Sequence, residues 1–79
     1  MLEELKTPNK LVGIKQLRKA LEAGGVKKVF IAENADPYLT APLEDRCIAL
    51  MIPVEPVPTM KQLGTACGIS VPAAVAAIL

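Results

Sequence analysis

The stretch Val26–Thr40, VKKVFIAENADPYLT, decides the fold class. Val29, Phe30, Ile31 and Ala32 form an unbroken apolar run, the pattern of a strand covered on both faces. Asn34-Ala35-Asp36-Pro37 ends it. Asp36 is placed to cap a helix, with Pro37 at the first helical position, where a missing N–H costs nothing. The helix is expected to run to about Leu50 and to bury Leu39, Leu43, Cys47 and Leu50, with Pro42 near its first turn. A doubly covered strand feeding directly into a helix implies layers on both sides of a sheet.

The neighbouring segments extend this pattern in both directions. Upstream, LEELK reads as a short helix stopped by Thr7-Pro8, and KLVG as a short strand ending at Gly13. In VGIKQLRKALEAGG, Leu17, Ala20 and Leu21 recur at helical spacing, and Gly24-Gly25 supplies the left-handed stop. Downstream, MIPVEPVP holds Pro53, Pro56 and Pro58. It is extended, and its prolines argue against a central, fully paired strand. Thr59 and Gln62 have capping-box spacing for a short helix ending near Gly68. ISVPAAVAAIL supplies a last strand. The order α-β-α-β-α-β-α-β predicts an α/β fold, a three-layer α/β/α sandwich around a small four-stranded mixed sheet, mostly parallel, in one domain over residues 1–79.

Composition narrows the chemistry. The 79 residues are 52% hydrophobic with only Phe30 and Tyr38 as aromatics. The core is therefore expected to be Leu, Ile, Val and Ala. No run approaches the roughly 20 apolar residues of a membrane span, and MLEELK is not the basic start of a signal peptide. A cytoplasmic protein is expected. There is no His, which excludes zinc sites of the usual Cys/His spacing and the His-dependent nucleophile systems. Cys47 and Cys67 read as buried free thiols. Glu44 and Asp45 are adjacent on a helix, so they point about 100° apart and do not converge. No catalytic residues, metal or cofactor are expected.

The charge is polar along the chain. Lys6 to Lys28 carries seven cations and one anion; Glu33 to Glu55 carries five anions and one cation, Arg46. Such asymmetry points to a polyanionic partner at one part of the surface. Lys27 and Lys28 read as a solubilising turn.

GIKQLRK, IAENADP, VEPVPTMKQLGTACGISVPAA and the Ala-rich close occur in one order. Together they resemble the ribosomal protein seven-Ae/thirty-e superfamily, closest to its short bacterial YbxF and YlxQ-type members. The resemblance spans nearly the whole chain, and LGTACGISVPAA is its most specific part. It implies the fold argued above and non-catalytic binding of kink-turns, RNA duplexes bent sharply at a short bulge flanked by sheared G·A pairs. It further implies that Gly13, Lys15, Gln16 and Lys19, with Ile14 at a position of the same motif, meet the opened groove; Arg18, which faces differently on the helix, suits a phosphate by its own chemistry. Glu33 would contact the bulge. Val57, Pro58, Thr59 and Met60 would hold a flipped-out base. The partner would be a structured RNA, such as ribosomal RNA or a riboswitch. A monomer is expected because the sandwich accounts for the apolar content.

The residues fit that role by their own chemistry. Lys15 and Lys19 are donors suited to guanine edges and Gln16 can address adenine; a helix start favours phosphate. Three positions depart from the family pattern: Ile14 stands where Thr is common, Lys15-Gln16 where archaeal and eukaryotic relatives have Asn-Glu, and Met51 where Gly often ends a helix. The alternative reading is a protein–protein adaptor on the same scaffold, using the proline-rich loop and the acidic segment.

Overall fold

Three short strands run in one direction and a fourth runs back between two of them. In the computed structural model, which describes residues 2–79, they are β1 (Lys10–Val12), β2 (Lys28–Ala32), β3 (Val54–Val57) and β4 (Val75–Ile78). Met1, the first residue of the segment read as lacking a basic leader, lies outside the described residues. A 3-10 turn, Leu2–Leu5, precedes β1, and three helices link the strands: α1 (Ile14–Ala23), α2 (Pro37–Ala49) and α3 (Met60–Ala66). The sheet order is β1-β4-β2-β3.

The four-stranded mixed sheet is as expected, but its pairings are not mostly parallel. β4 pairs antiparallel with both β1 and β2, and only β2–β3 is parallel. The reason is the last strand: instead of adding at an edge, it inserts between β1 and β2. The β2–α2–β3 unit needs its helix as a crossover, since parallel neighbours cannot be joined by a tight turn.

Alternation along β2 assigns the two faces. Phe30 and Ala32 pack with Leu5, Val57, Leu63 and Ala76 beneath the 3-10 turn and α3. Val29 and Ile31 pack with Leu17, Leu21, Leu43 and Cys47 beneath α1 and α2. The two thiols are buried and free, as read from the sequence. They belong to opposite faces, Cys47 under α2 and Cys67 beside α3, so the sheet keeps them apart. Burial pushes both thiols above their ordinary pKa.

Asp36 caps α2 as predicted, its carboxylate accepting from the Tyr38 N–H at 2.9 Å. The buried stripe of α2 differs from expectation. Leu39 is 49% exposed and Leu50 43%, whereas Thr40, Leu43 and Cys47 face the sheet. Thr40 can be buried because its hydroxyl donates to the Asp36 carbonyl, 3.5 Å away. Once Thr40 faces inward, Leu39 lies about 100° around the helix and cannot. The helix ends with the Ile52 N–H on the Cys47 carbonyl at 2.8 Å and the Met51 N–H on that of Ile48 at 3.1 Å. This is the two-bond Schellman stop. Met51 therefore occupies the left-handed position with φ 59°, which costs a non-glycine residue about 1 kcal/mol. Its side chain is 90% exposed, so no packing offsets that cost.

β3 is an edge strand, which accommodates its proline. The Val29 N–H donates to Pro53 and the Glu33 N–H to Val57, at 3.0 and 2.7 Å. Alternate residues 53, 55 and 57 thus turn their backbone to β2. Pro56 turns outward, where its missing N–H removes nothing from the ladder. Lys28 is not a free solubilising charge. Its Nζ lies 2.6 Å from Glu4 and 2.9 Å from Glu55, and 5.0 Å from the centre of the Phe30 ring. Hydrogen bonds to Glu4, then Glu55, raise its pKa. The stability this supplies is present below the ordinary lysine pKa and is lost as pH rises through the raised value.

After α3, the chain turns at Gly68 and runs back along the helix. The Ile69 N–H meets the Gly64 carbonyl at 3.1 Å and the Ala73 N–H meets the Met60 carbonyl at 3.0 Å. Gly64 permits this approach: a Cβ there would lie 2.2 Å from the Val71 carbonyl oxygen and 3.2 Å from the Pro72 Cα. Both obstacles are backbone. Gly64→Ala is expected to lower unfolding free energy by about 1–3 kcal/mol despite the better helix propensity of Ala. Urea denaturation checks this; equal or higher stability would contradict the close packing of this return segment.

Candidate functional site

The strand directions bring four segments to one end of the sheet. β1, β2 and β3 all finish there, and β4 begins there. The segments are therefore the start of α1, the loop after β2, the connector from β3 to α3, and the return segment before β4. Hydrogen bonds tie them together. The Gly13 N–H donates to Val75 at 3.1 Å, and the Glu33 N–H to Val57 at 2.7 Å. From β1 to β3 is three strand steps, roughly 14 Å. α1 and α3 pack on opposite faces, yet both present their N-termini at this end.

The start of α1 is open. Gly13 has φ 114° and ψ 149°, and no side chain caps the helix. Its first N–H groups thus point out with partial positive charge. Lys15, Gln16, Arg18 and Lys19 are exposed, while Leu17 and Leu21 face the core. Lys15 and Lys19 share a face at i, i+4 spacing. Arg18 is directed elsewhere: it lines a shallow groove with Leu21, Glu22, Pro42 and Arg46, toward α2. Ile14 is half-buried against the α1/α2 side of the core, so it serves packing where a hydroxyl would serve capping.

The loop after β2 is fixed residue by residue. Ala35 is buried, Asp36 caps α2, and the Asn34 Oδ1 accepts from the Met60 N–H at 2.8 Å. The Glu33 side chain is exposed and makes no ion pair among the described residues. In the connector, the Thr59 Oγ1 accepts from the Gln62 N–H at 3.1 Å, as predicted. The reciprocal half of the capping box is replaced: the Thr59 hydroxyl donates to the Gln62 Oε1 at 3.2 Å. Pro58 is exposed, and Thr59 and Met60 are partly so.

Val57 departs from the arrangement expected of it. It is 1% exposed and packs in the core beside Phe30 and Leu63, so its side chain is no wall of an open pocket. It contributes through its carbonyl, which anchors Glu33. Exposed apolar side chains are found instead on the return segment, which the sequence reading left out of the site; with Lys61 and Thr65 they line a groove beside α3. Val71 is 60% exposed and Ile69 is 37% exposed, on the return segment bonded to α3. The sequence reading placed ISVP in the last strand, but β4 begins only at Val75, because Gly68 and the bonds to α3 hold residues 69–73 as a return segment.

Among the described residues, no cluster of acidic, Cys or His side chains is arranged to hold a metal ion, and no helix is long and apolar enough to cross a membrane.

Comparison with known proteins places this geometry among relatives. The model of the ribosomal protein L7Ae/L30e/S12e/Gadd45 family matches residues 2–79. A Bacillus pumilus protein named as an RNA-binding protein is 42% identical over 69 residues, 87% of this chain and 84% of its own length. The RNA-binding protein YbxF of Geobacillus stearothermophilus is 39% identical over 69 residues, again 87% and 84% of the two chains. Among solved structures, the Giardia lamblia 15.5kD RNA binding protein superposes with a TM-score of 0.86 at 28% identity, over 98% of this chain. This chain spans 65% of that protein's length.

Gly13 is the residue on which the open helix start depends. A Cβ there would meet nothing within 4 Å, so the cost of Gly13→Ala is purely conformational, about 1–3 kcal/mol. Thermal unfolding of the variant should register that loss. An unchanged midpoint would mean that the backbone at the start of α1 is not held as described.

Proposed function

The chain belongs to the ribosomal protein L7Ae/L30e/S12e/Gadd45 family, and we propose that it is a non-catalytic, cytoplasmic monomer that binds kink-turn RNA and holds it bent. The regular major groove of RNA is too deep and narrow for side chains. A kink opens it at the sheared G·A pairs. The start of α1 enters there, its free N–H groups toward phosphate. Lys15 and Lys19 donate to guanine edges and Gln16 pairs with adenine. Arg18, turned toward α2, takes a phosphate farther along the strand.

The same RNA continues over the sheet end. Glu33 accepts from the bulged base, and Pro58, Thr59 and Met60 form one side of its seat. Ile69 and Val71 supply the apolar side that Val57 does not. The observation that carries this reading is the meeting of an uncapped, lysine-flanked helix start with three loops at one end of the sheet. The names of the relatives, which are RNA-binding proteins, support it independently. Proline stiffens the connector, which reduces the entropy lost when it is ordered against a ligand.

A gel-shift comparison tests the proposal. A kink-turn RNA should bind, and replacement of its G·A pairs by Watson–Crick pairs should abolish most of the affinity. Binding to neither RNA would favour the adaptor reading. Lys19→Ala should weaken kink-turn binding by about 1–3 kcal/mol; unchanged affinity at moderate salt would remove Lys19 from the site.

A further inference from the structure

We propose that Asn34 is a positioning residue of the interface: its side chain latches the loop carrying Glu33 to the start of α3, fixing the distance between the Glu33 carboxylate and the connector that seats the bulged base. The inference rests on the kink-turn reading above and adds a residue that touches no RNA.

The bond itself is unusual in reach. The first N–H groups of a helix have no partner within it, and α3 meets this need in two ways. Thr59, its neighbour in sequence, takes the Gln62 N–H. The Met60 N–H is taken by Asn34 across a separation of 26 residues, at 2.8 Å. A local cap on Met60 would have served the helix equally. A remote one also joins two loops. The Met60 carbonyl in turn accepts from the Ala73 N–H at 3.0 Å. Met60 thus links the loop after β2, the connector and the return segment.

The latch sits where it contributes little to folding. The bond is exposed, so water can replace the Asn34 oxygen, and the net worth of such a bond is small. Its effect is geometric. The Glu33 backbone is held from one side by the Val57 carbonyl, and Asn34 holds it from the other. Ala35 and Asp36 are fixed by burial and by capping α2. Without the latch, the segment between Val57 and Thr59 can move relative to Glu33, and the carboxylate and the base seat no longer meet in one geometry.

The test compares two RNAs across the natural chain, Asn34→Ala, Asn34→Asp, Glu33→Ala and the double variant that combines Glu33→Ala with Asn34→Ala, which closes a double-mutant cycle. One RNA is a kink-turn; the other lacks the bulged base. Asn34→Ala should lower affinity for the first by about tenfold, the scale of one lost fixed hydrogen bond, and lower it much less for the second. Asn34→Asp keeps an acceptor oxygen and should restore most of the loss at a salt concentration that screens its added charge. In the Glu33→Ala background, Asn34→Ala should add little. The Met60 amide should exchange more slowly in the natural protein than in Asn34→Ala.

Each other result overturns the latch. These are kink-turn affinity unchanged in Asn34→Ala, an equal loss for both RNAs, no rescue by Asp, a full independent loss on top of Glu33→Ala, or a Met60 amide that exchanges equally fast in the natural protein and in Asn34→Ala. Failure of the natural protein to bind the kink-turn at all would instead bring down the proposed function.

Discussion

β4 is the constraint on which the molecule depends. It is antiparallel to β1 on one side and β2 on the other, so it runs against every other strand. Val75, Ala76 and Ala77 are fully buried. The small size of the two alanines lets helices close over both faces of a sheet this narrow. Because β4 alone is reversed, the other three strands finish at the same end, and the segment entering β4 arrives there too. Had the last strand added at an edge in parallel, its entry segment would lie at the far end, and the return segment would be separated from α1. The meeting of these four segments is thus a consequence of strand order, with no helix or loop needing to reach far.

Charge is not sorted by that geometry. The basic residues of α1 stand beside an uncapped helix start, where no side chain among the described residues caps the free N–H groups. The ion pairs of Lys28 lie elsewhere: it joins Glu4 and Glu55, securing the 3-10 turn and the edge strand to β2. Most of the anions fall on the segment from Glu33 to Glu55, which includes α2 and the edge strand. The separation is one of sequence and not of two poles in space: Glu33 follows β2 at the same sheet end as the start of α1, while Lys10 and Lys28 open β1 and β2 at the opposite end.

Much of this was legible in the sequence because the signals were local. The apolar run 29–32, the Asp36-Pro37 start, the double glycine after α1 and the Thr59 cap are each decided within a few residues, and each lies where the pattern put it. What failed was long-range. The pairing of β4 cannot be read from ISVPAAVAAIL, since its alanines suit either an edge or a centre. The rotation of α2 was misjudged because Thr40 counts as polar until its hydroxyl finds the Asp36 carbonyl. Val57 was assigned to the base-holding pocket by the family resemblance, yet its alternation within β3 turns it into the core. Asn34 and Met60 are 26 residues apart, and no spacing rule connects them.

The central claim is that one end of the sheet, and no other surface, receives the bent RNA. Backbone amide chemical shifts recorded while a kink-turn RNA is titrated into the protein test it most directly. The account predicts that the shifted amides fall in residues 13–19, 33–36, 57–60 and 69–73, with the outer face of α2 and the opposite sheet end, residues 24–27 and 51–53, unmoved. Saturable shifts centred on α2 or on that opposite end, with the start of α1 silent, would contradict it.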